Sequence, residues 1–147
     1  MGEAAAGAPP PLALLLIQGG RWFDDRSLTE LERRGWPRLT PAQSLVFAHL
    51  DEAGTAPAVL ARRLGRSRQA VQELVGGLCR LGLLALVDDP ARRNGRLVTL
   101  STSGRRLVGE AYTVLTGLEA ELGPQLVERL RPLLLQLRER QEALDRP

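Results

Sequence analysis

The sequence has one cysteine, one histidine and no lysine among its 147 residues. The single cysteine, Cys79, excludes an internal disulfide framework and any multi-cysteine metal site. The single histidine, His49, excludes a histidine-rich metal centre and leaves few options for acid–base catalysis near neutral pH. The sequence also lacks a phosphate-binding loop and a nucleophile–base pair. We therefore expect a protein that is not an enzyme and that binds neither a metal nor a cofactor.

Both of these single residues have a plain structural interpretation. His49 lies on a predicted helix and is expected to be a partly buried structural residue. Cys79 lies between Leu78 and Leu81, where a free thiol usually packs as a small hydrophobic group. The alternative for Cys79 is a redox sensor, which requires an accessible sulfur in an electropositive environment such as that beside Arg80.

Aromatic residues are scarce as well, at 3% of the chain, so the core must be built from leucine, valine and alanine. Hydrophobic residues make up 44% and charged residues 25%, as in ordinary globular domains. The length predicts one domain, or one domain with an interaction arm. Because lysine is absent, all 20 basic residues are arginine, and the formal net charge is +3.

The N-terminal region contains an apolar run, Leu12–Ile17, that could be mistaken for a secretion signal. No basic residue precedes Arg21, so the charged segment of such a signal is missing, and the run is too short to span a bilayer. We expect residues 1–11 to be a flexible tail and the apolar run to belong to a buried or subunit-facing helix. The expected location is the cytoplasm, without membrane association.

The first half of the chain predicts helices. One runs over Leu12–Arg34, with Gly19–Gly20 as a weak point inside it. A second begins in Thr40–Gln43, where threonine can cap, proline suits the first helical position and glutamine completes a capping box. This second helix is expected to end at Gly54.

A short helix over Pro57–Leu64, a stop at Gly65 and a longer helix capped by Ser67 follow. The longer helix has apolar residues at the spacing of one buried face: Val71, Leu74, Val75, Leu78 and Leu81. Its opposite face carries Gln69, Gln72, Glu73, Gly76 and Arg80.

The pattern then changes to two short strands, Leu83–Val87 and Arg96–Leu100, around a polar loop that is rich in arginine. Two amphipathic helices complete the chain, the first beginning at Ser101 and the second separated from it by Gly123–Pro124. Their apolar stripes are Leu107, Ala111, Val114, Leu115, Leu118 and Leu122, then Leu126, Leu130, Leu133, Leu137 and Leu144.

This order of elements predicts a winged helix-turn-helix. A helix that is anchored by an apolar stripe and presents polar side chains outward fits the major groove of DNA, and the arginines of the loop could meet phosphates or the minor groove. From Arg62 to Arg106 there are ten arginines and three acidic residues, a net charge of +7, whereas the rest of the chain has a net charge of −4. Such a local excess is typical of a polyanion-binding surface. The alternative is an ordinary helical domain whose charges form a solvated face.

Several segments between Leu39 and Leu107 resemble, in order and spacing, the MarR family of bacterial transcription regulators. They are LTPAQ at 39–43, LARRLG at 60–65, SRQAV at 67–71, LGL at 81–83, DP at 89–90 and LVTLS at 97–101. The resemblance implies a homodimer held by the terminal helices, a recognition helix at Ser67–Leu81 and a wing at Leu83–Leu100. It also implies, in many members, a small-molecule pocket between the dimerisation and DNA-binding parts.

The sequence departs from the family pattern at three places. Family wings usually carry Asp-x-Arg near the tip, where this chain has Arg92 and Asn94, so that Arg93 or Arg96 would have to replace the minor-groove arginine. The position of a capping threonine holds Ala56, which caps poorly. Gly76–Gly77 interrupts the recognition helix, either permitting close approach of a backbone or loosening the helix.

The candidate DNA-binding residues lie at the start of the recognition helix and on the wing. Arg68, Gln69 and Gln72 are expected to contact base edges, and Arg66 and Ser67 to contact phosphates. The wing candidates are Arg92, Arg93, Asn94 and Arg96. For each of them the alternative is a solvated surface residue, and Arg62 and Arg63 could equally pair with acidic side chains.

We therefore predict a mainly α-helical protein with a small β-hairpin wing. It is divided into a tail (1–11), an N-terminal dimerisation region (12–38), a winged helix-turn-helix (39–101) and C-terminal dimerisation helices (102–147). Six helices and one hairpin make a poor single core in so short a chain, which also favours a homodimer.

A small-molecule effector site could involve Trp22, Phe23, Trp36 and Phe47, although core packing is the alternative for these aromatics. The expected function is a regulator, a repressor, that binds double-stranded DNA; the alternative is a winged-helix scaffold that binds protein.

Overall fold

A computed structural model describes residues 7–146 of the chain. This part contains six α-helices and one two-stranded antiparallel sheet. The elements are α1 (Leu12–Arg33), α2 (Pro41–Ala48), α3 (Pro57–Leu64), α4 (Arg68–Arg80), β1 (Leu84–Asp88), β2 (Arg96–Leu100), α5 (Thr102–Leu122) and α6 (Pro124–Leu144). The predicted fold class, mainly helical with a hairpin wing, is confirmed. Of the predicted tail, residues 1–6 lie outside the described residues.

Helix α1 runs without a break through Gly19–Gly20, so the predicted weak point does not divide it. The linker that follows it is fixed to α5 by Trp36. The indole Nε1 of Trp36 donates a hydrogen bond to Glu110 over 2.9 Å, and the guanidinium of Arg106 lies over its ring at 5.6 Å. These contacts hold the start of the winged helix against α5.

Helix α2 begins as predicted but ends earlier. Thr40 and Gln43 form both hydrogen bonds of the capping box. The helix stops at Ala48 rather than at Gly54, and this prediction was wrong. The reason is Thr55, which is 2% exposed and exchanges two backbone hydrogen bonds of 2.9 Å with Val98 in β2. The chain after α2 is therefore used to reach the sheet.

Helices α3 and α4 form the predicted helix-turn-helix. Gly65 ends α3 in a left-handed conformation with φ of 61°, which glycine adopts without strain. Ser67 caps α4, because its hydroxyl accepts a hydrogen bond from the backbone N–H of Ala70. Ala56 makes no side-chain cap to α3, as its chemistry dictates. Leu81 is 41% exposed and lies beyond the end of α4, so it does not belong to the buried face that was predicted for it.

The wing is a regular hairpin in which Leu84 pairs with Leu100 and Asp88 pairs with Arg96. Strand β2 has the predicted bounds, and β1 is shifted by one residue. Asn94 has a positive φ of 59°, which asparagine tolerates better than most residues. The backbone hydrogen bond from Asp89 to the Gly95 carbonyl closes the loop over 2.9 Å.

The core lies where the winged helix meets the C-terminal half of α1 and α5, which contributes Leu107, Val114 and Leu118. Its fully buried side chains are Leu60, Leu78, Leu83, Val46, Val71 and Val98. In contrast, α6 has no buried residue in the single chain, and the start of α1 is exposed throughout. A large part of the apolar surface of the terminal helices is therefore left uncovered by the chain itself.

Candidate nucleic-acid interface

The start of helix α4 presents polar side chains to solvent. Arg68, Gln69 and Gln72 are all exposed and lie within the first two turns after the Ser67 cap. The other face of the helix is anchored by Val71, Val75 and Leu78, which are at most 4% exposed. Arginine and glutamine are side chains that can form paired hydrogen bonds with guanine and adenine edges in the major groove. The predicted base-contacting residues thus share one exposed surface.

The turn before α4 adds positive charge to this surface. Arg66 and Ser67 are exposed at the N-terminal end of the helix, where backbone N–H groups favour anions. Arg62 has no carboxylate oxygen within 4.0 Å among the described residues, whereas Arg63 donates to Asp51 over 3.0 Å and to the His49 carbonyl. The guanidinium of Arg63 lowers the pKa of Asp51. Of the two arginines for which pairing was considered, only Arg63 is engaged in this way.

On the wing, the predicted residues separate into two groups. Arg92, Arg93 and Asn94 are exposed at the tip. Arg96 instead turns back along the hairpin, where its guanidinium lies 3.4 Å from both the Asp88 carboxylate and the Leu86 carbonyl oxygen. The exposed tip therefore holds two arginines that are free of ion pairs within residues 7–146, and Arg96 supports the hairpin in this conformation.

Ion pairing increases the charge difference predicted from the sequence, because arginines on α1 are paired with an acidic residue and several arginines of the winged helix are not. Glu30 on α1 binds Arg33 and Arg34, whose hydrogen bonds lower the pKa of Glu30 to about 2. Several arginines of the winged helix, by comparison, have no acidic partner within 4.0 Å in the part of the chain that the structure describes: Arg62, Arg66, Arg68, Arg80, Arg92 and Arg93. Unneutralised guanidinium groups remain available for an external anion.

Sequence reasoning placed Arg80 on the outer face of α4 but did not count it among the candidates. The structure lays its guanidinium beside the two glycines of the helix, near the outer face that carries Gln69. The signal that could have identified it is the spacing of Gly76 and Arg80, because residues four apart are neighbours on a helix surface.

A cavity of about 690 Å³ lies between α1, α2 and α5. Its lining is mainly apolar and includes two of the four predicted aromatics, Phe23 and Phe47. The polar groups in the lining are few; Asp24 and Ser44 are joined there by a hydrogen bond of 2.7 Å from the serine hydroxyl. Cavities of this size and composition suit small organic ligands.

The other two predicted aromatics do not line this cavity. Trp22 packs edge-on against Phe23 at 5.0 Å, with the guanidinium of Arg26 over its ring, and Trp36 is held by α5 as described above. Sequence reasoning also missed most of the cavity wall, including Leu16, Ile17, Leu45 and Tyr112. These residues come from three helices, and no local sequence pattern indicates that they meet.

Cys79 is half-buried, and its burial raises the pKa of the thiol, although Arg80 acts in the opposite direction. A raised pKa reduces the thiolate fraction on which redox sensing depends.

Among residues 7–146, no group of three or more His, Cys, Asp or Glu residues could hold a metal ion. Within the same residues, none of the helices is long and apolar enough to cross a membrane.

Residues 39–93 match the MarR family, which confirms the resemblance that the sequence motifs indicated. The sequence matches no curated protein. The chain does share its fold with solved transcription regulators. MepR from Staphylococcus aureus, a regulator of the multidrug efflux pump MepA, is 21% identical with a TM-score of 0.60 over 92% of this chain and 100% of that one.

Two further structures show the same fold. CouR from Rhodococcus jostii RHA1, solved with p-coumaroyl-CoA bound, is 20% identical with a TM-score of 0.66 over 92% of this chain and 95% of its own. A MarR-family regulator from Rhodococcus sp. RHA1 is 20% identical with a TM-score of 0.67 over 92% of this chain and 96% of its own. Residues 39–93 of this chain are thus similar to the MarR family, and the chain shares the fold of these solved structures, a winged helix between long terminal helices.

Proposed function

We propose that this chain, which resembles the MarR family over its winged helix, is a sequence-specific regulator of transcription that binds double-stranded DNA. The observation that carries the proposal is the exposed polar face of α4, flanked by arginines that have no acidic partner among the described residues. Arg68, Gln69 and Gln72 read base edges, while Arg66, Ser67 and the wing residues Arg92, Arg93 and Asn94 bind the backbone or the minor groove. Arg96 joins them on release from Asp88. The protein has no enzymatic activity in this proposal.

The regulator acts as a homodimer. Helix α6 has a row of leucines that residues 7–146 leave about half exposed, including Leu126, Leu130 and Leu133 at 48%, 43% and 59%. A second copy would bury this row together with the exposed start of α1, within the proposed dimerisation regions 12–38 and 102–147. Two recognition helices then address a pseudo-palindromic operator whose half-sites lie about 10 bp apart.

In this proposal the protein is a repressor in the cytoplasm. A small-molecule effector occupies the cavity between α1, α2 and α5 and releases the protein from DNA. The support is the position of the cavity. It lies against α2, and α2 packs against the recognition helix, so a ligand that moves α2 changes the setting of α4. CouR, which shares the fold, was solved with p-coumaroyl-CoA bound.

DNA binding is tested by titrating salt. The purified protein is mixed with a duplex from the region upstream of its own gene, and with a scrambled duplex of equal length and composition. We expect tighter binding to the upstream duplex. If a dimer neutralises about six to ten phosphates, affinity falls about 10³- to 10⁵-fold between about 50 and 200 mM salt.

The competing function, a winged-helix scaffold for protein partners, is favoured by one feature, the engagement of Arg96 by Asp88 on the wing. It predicts no preference for the upstream duplex over the scrambled one. That result, obtained with folded protein, would refute the regulator.

A further inference from the structure

Helix α4 carries two adjacent glycines where strong helix formers would be expected, since glycine disfavours helix more than any residue except proline. The side chain of Arg80 lies beside them. A Cβ atom on Gly76 would stand 3.4 Å from one terminal nitrogen of Arg80. A Cβ atom on Gly77 would stand 3.3 Å from the side-chain nitrogen of Gln43 and 3.8 Å from the other terminal nitrogen of Arg80. The guanidinium thus lies close to the helix surface, in the space that these two side chains would occupy.

This position brings the charge of Arg80 onto the face of α4 that carries Gln69, one of the candidate base-contacting residues. At 100° per residue, Gln69, Glu73, Gly76 and Arg80 fall within an arc of about 60°. Side chains on a helix point toward its N-terminus, and Arg80 accordingly reaches back by one turn. Arg80 is exposed, and no carboxylate oxygen, including those of Glu73, lies within 4.0 Å of it in the described residues.

We propose that Arg80 is a further DNA-contacting residue, which binds a phosphate of the duplex backbone over the surface at Gly76, where the helix has no side chain of its own. The inference rests on the proposed DNA-binding function. A guanidinium that lies along the helix projects too little to reach base edges at the floor of the groove, whereas a phosphate at the wall of the groove can approach a helix that lacks side chains there. Arginine suits this contact because its planar fork can bind two phosphate oxygens.

The test compares Arg80→Ala with the unchanged protein on the upstream and scrambled duplexes. Arg80→Ala removes one phosphate contact in each protomer, so the slope of log affinity against log salt loses about 1.8 of its magnitude for the dimer, about 0.9 per contact. Binding to both duplexes weakens by the same factor. Arg80→Lys keeps the positive charge and is expected to restore most of the slope. Arg38→Ala is the matched control, because it removes an exposed arginine that pairs with Glu32 outside the winged helix.

A second variant tests the part played by the glycines. In Gly76→Leu the new side chain displaces the guanidinium and covers the bare surface, so the salt slope falls as it does in Arg80→Ala. The melting temperature should stay level or rise, because leucine favours helix more than glycine does. Adding Arg80→Ala to this variant should lower the slope no further, because both changes remove the same contact.

An unchanged salt slope in Arg80→Ala would overturn the inference. A loss of affinity confined to the upstream duplex would overturn it too, because such a loss indicates a base contact. A further slope loss of about 1.8 in the double variant would show that the glycines have no part in the contact. These results differ from failure of the proposed function, in which the unchanged protein shows no preference for the upstream duplex. If it bound neither duplex, the inference would fall too.

Discussion

Gly104, in the first turn of α5, shows at the scale of one residue how closely the wing and the C-terminal helices are joined. A Cβ atom at this position would overlap the carbonyl oxygen of Leu83 and lie 3.0 Å from its carbonyl carbon. Both atoms belong to the backbone and cannot turn away. We therefore expect Gly104→Ala to lower the free energy of unfolding by about 1–3 kcal/mol, the usual cost of overpacking. Urea denaturation at a fixed protein concentration measures the change.

Gly109→Ala is the matched control in the same helix. No atom lies within 4 Å of a Cβ atom at Gly109, and alanine favours helix over glycine by up to about 1 kcal/mol. This variant should be as stable as the unchanged protein or more stable. If both variants change the free energy of unfolding by the same amount and in the same direction, overlap with the Leu83 carbonyl does not explain the effect of Gly104→Ala.

Arg68 and Gln72 are the residues whose roles in sequence preference can be tested most directly. Each paired contact to a base edge contributes about 1–3 kcal/mol of discrimination. We expect the double variant Arg68→Ala with Gln72→Ala to lose at least about tenfold of its preference for the upstream duplex, with affinity for the scrambled duplex falling less. Competition between the two duplexes measures the preference. If the preference survives, these residues do not read the sequence, and another face of α4 must be considered.

At the scale of elements, helix α2 connects the cavity to the recognition helix through two adjacent residues. Ser44 donates its hydrogen bond to Asp24 in the cavity wall. Gln43 lies against α4, where its side-chain nitrogen would be 3.3 Å from a Cβ atom on Gly77. Since α2 has only eight residues, a shift at one of these contacts is carried to the other. If the proposed effector binds in the cavity, this short helix is the direct physical connection between it and the proposed DNA-binding face.

Most elements could be predicted from local chemistry. The capping box at Thr40, the cap at Ser67 and strand β2 all lie where the sequence places them, because each depends on residues a few positions apart. The end of α2 could not be predicted, since it depends on the bridge between Thr55 and Val98, which are far apart in the chain. The walls of the cavity depend likewise on how distant segments meet, and the Arg96–Asp88 pair depends on the register of the hairpin. The candidate DNA-binding residues are all exposed in the fold, and their roles stay predictions.

At the scale of the whole molecule, charge and apolar surface are separated. The segment from Arg62 to Arg106 carries a net charge of +7, and the rest of the chain carries −4. The exposed leucines concentrate on the terminal helices, away from the excess of arginine. A surface that binds a polyanion and a surface that binds a second copy can therefore act without competing for the same residues.

The row of leucines on α6 provides the last prediction. Leu130→Glu with Leu133→Glu places two charges in the proposed dimer interface, where burying them unpaired is costly. The unchanged protein is expected to sediment at twice the chain mass of 16.0 kDa at micromolar concentration, and the double variant at the mass of one chain. Because both leucines are exposed in the single chain, the winged helix should stay folded, which circular dichroism verifies.

The control for this experiment, Gln125→Glu with Gln136→Glu, adds the same two charges at exposed polar positions on another side of α6 and should remain dimeric. The monomeric variant should also bind the upstream duplex more weakly, because two recognition helices held together engage both half-sites at a high effective concentration. A double leucine variant that stays dimeric would place the interface elsewhere. An unchanged protein that sediments as a monomer would remove the basis for expecting a palindromic operator.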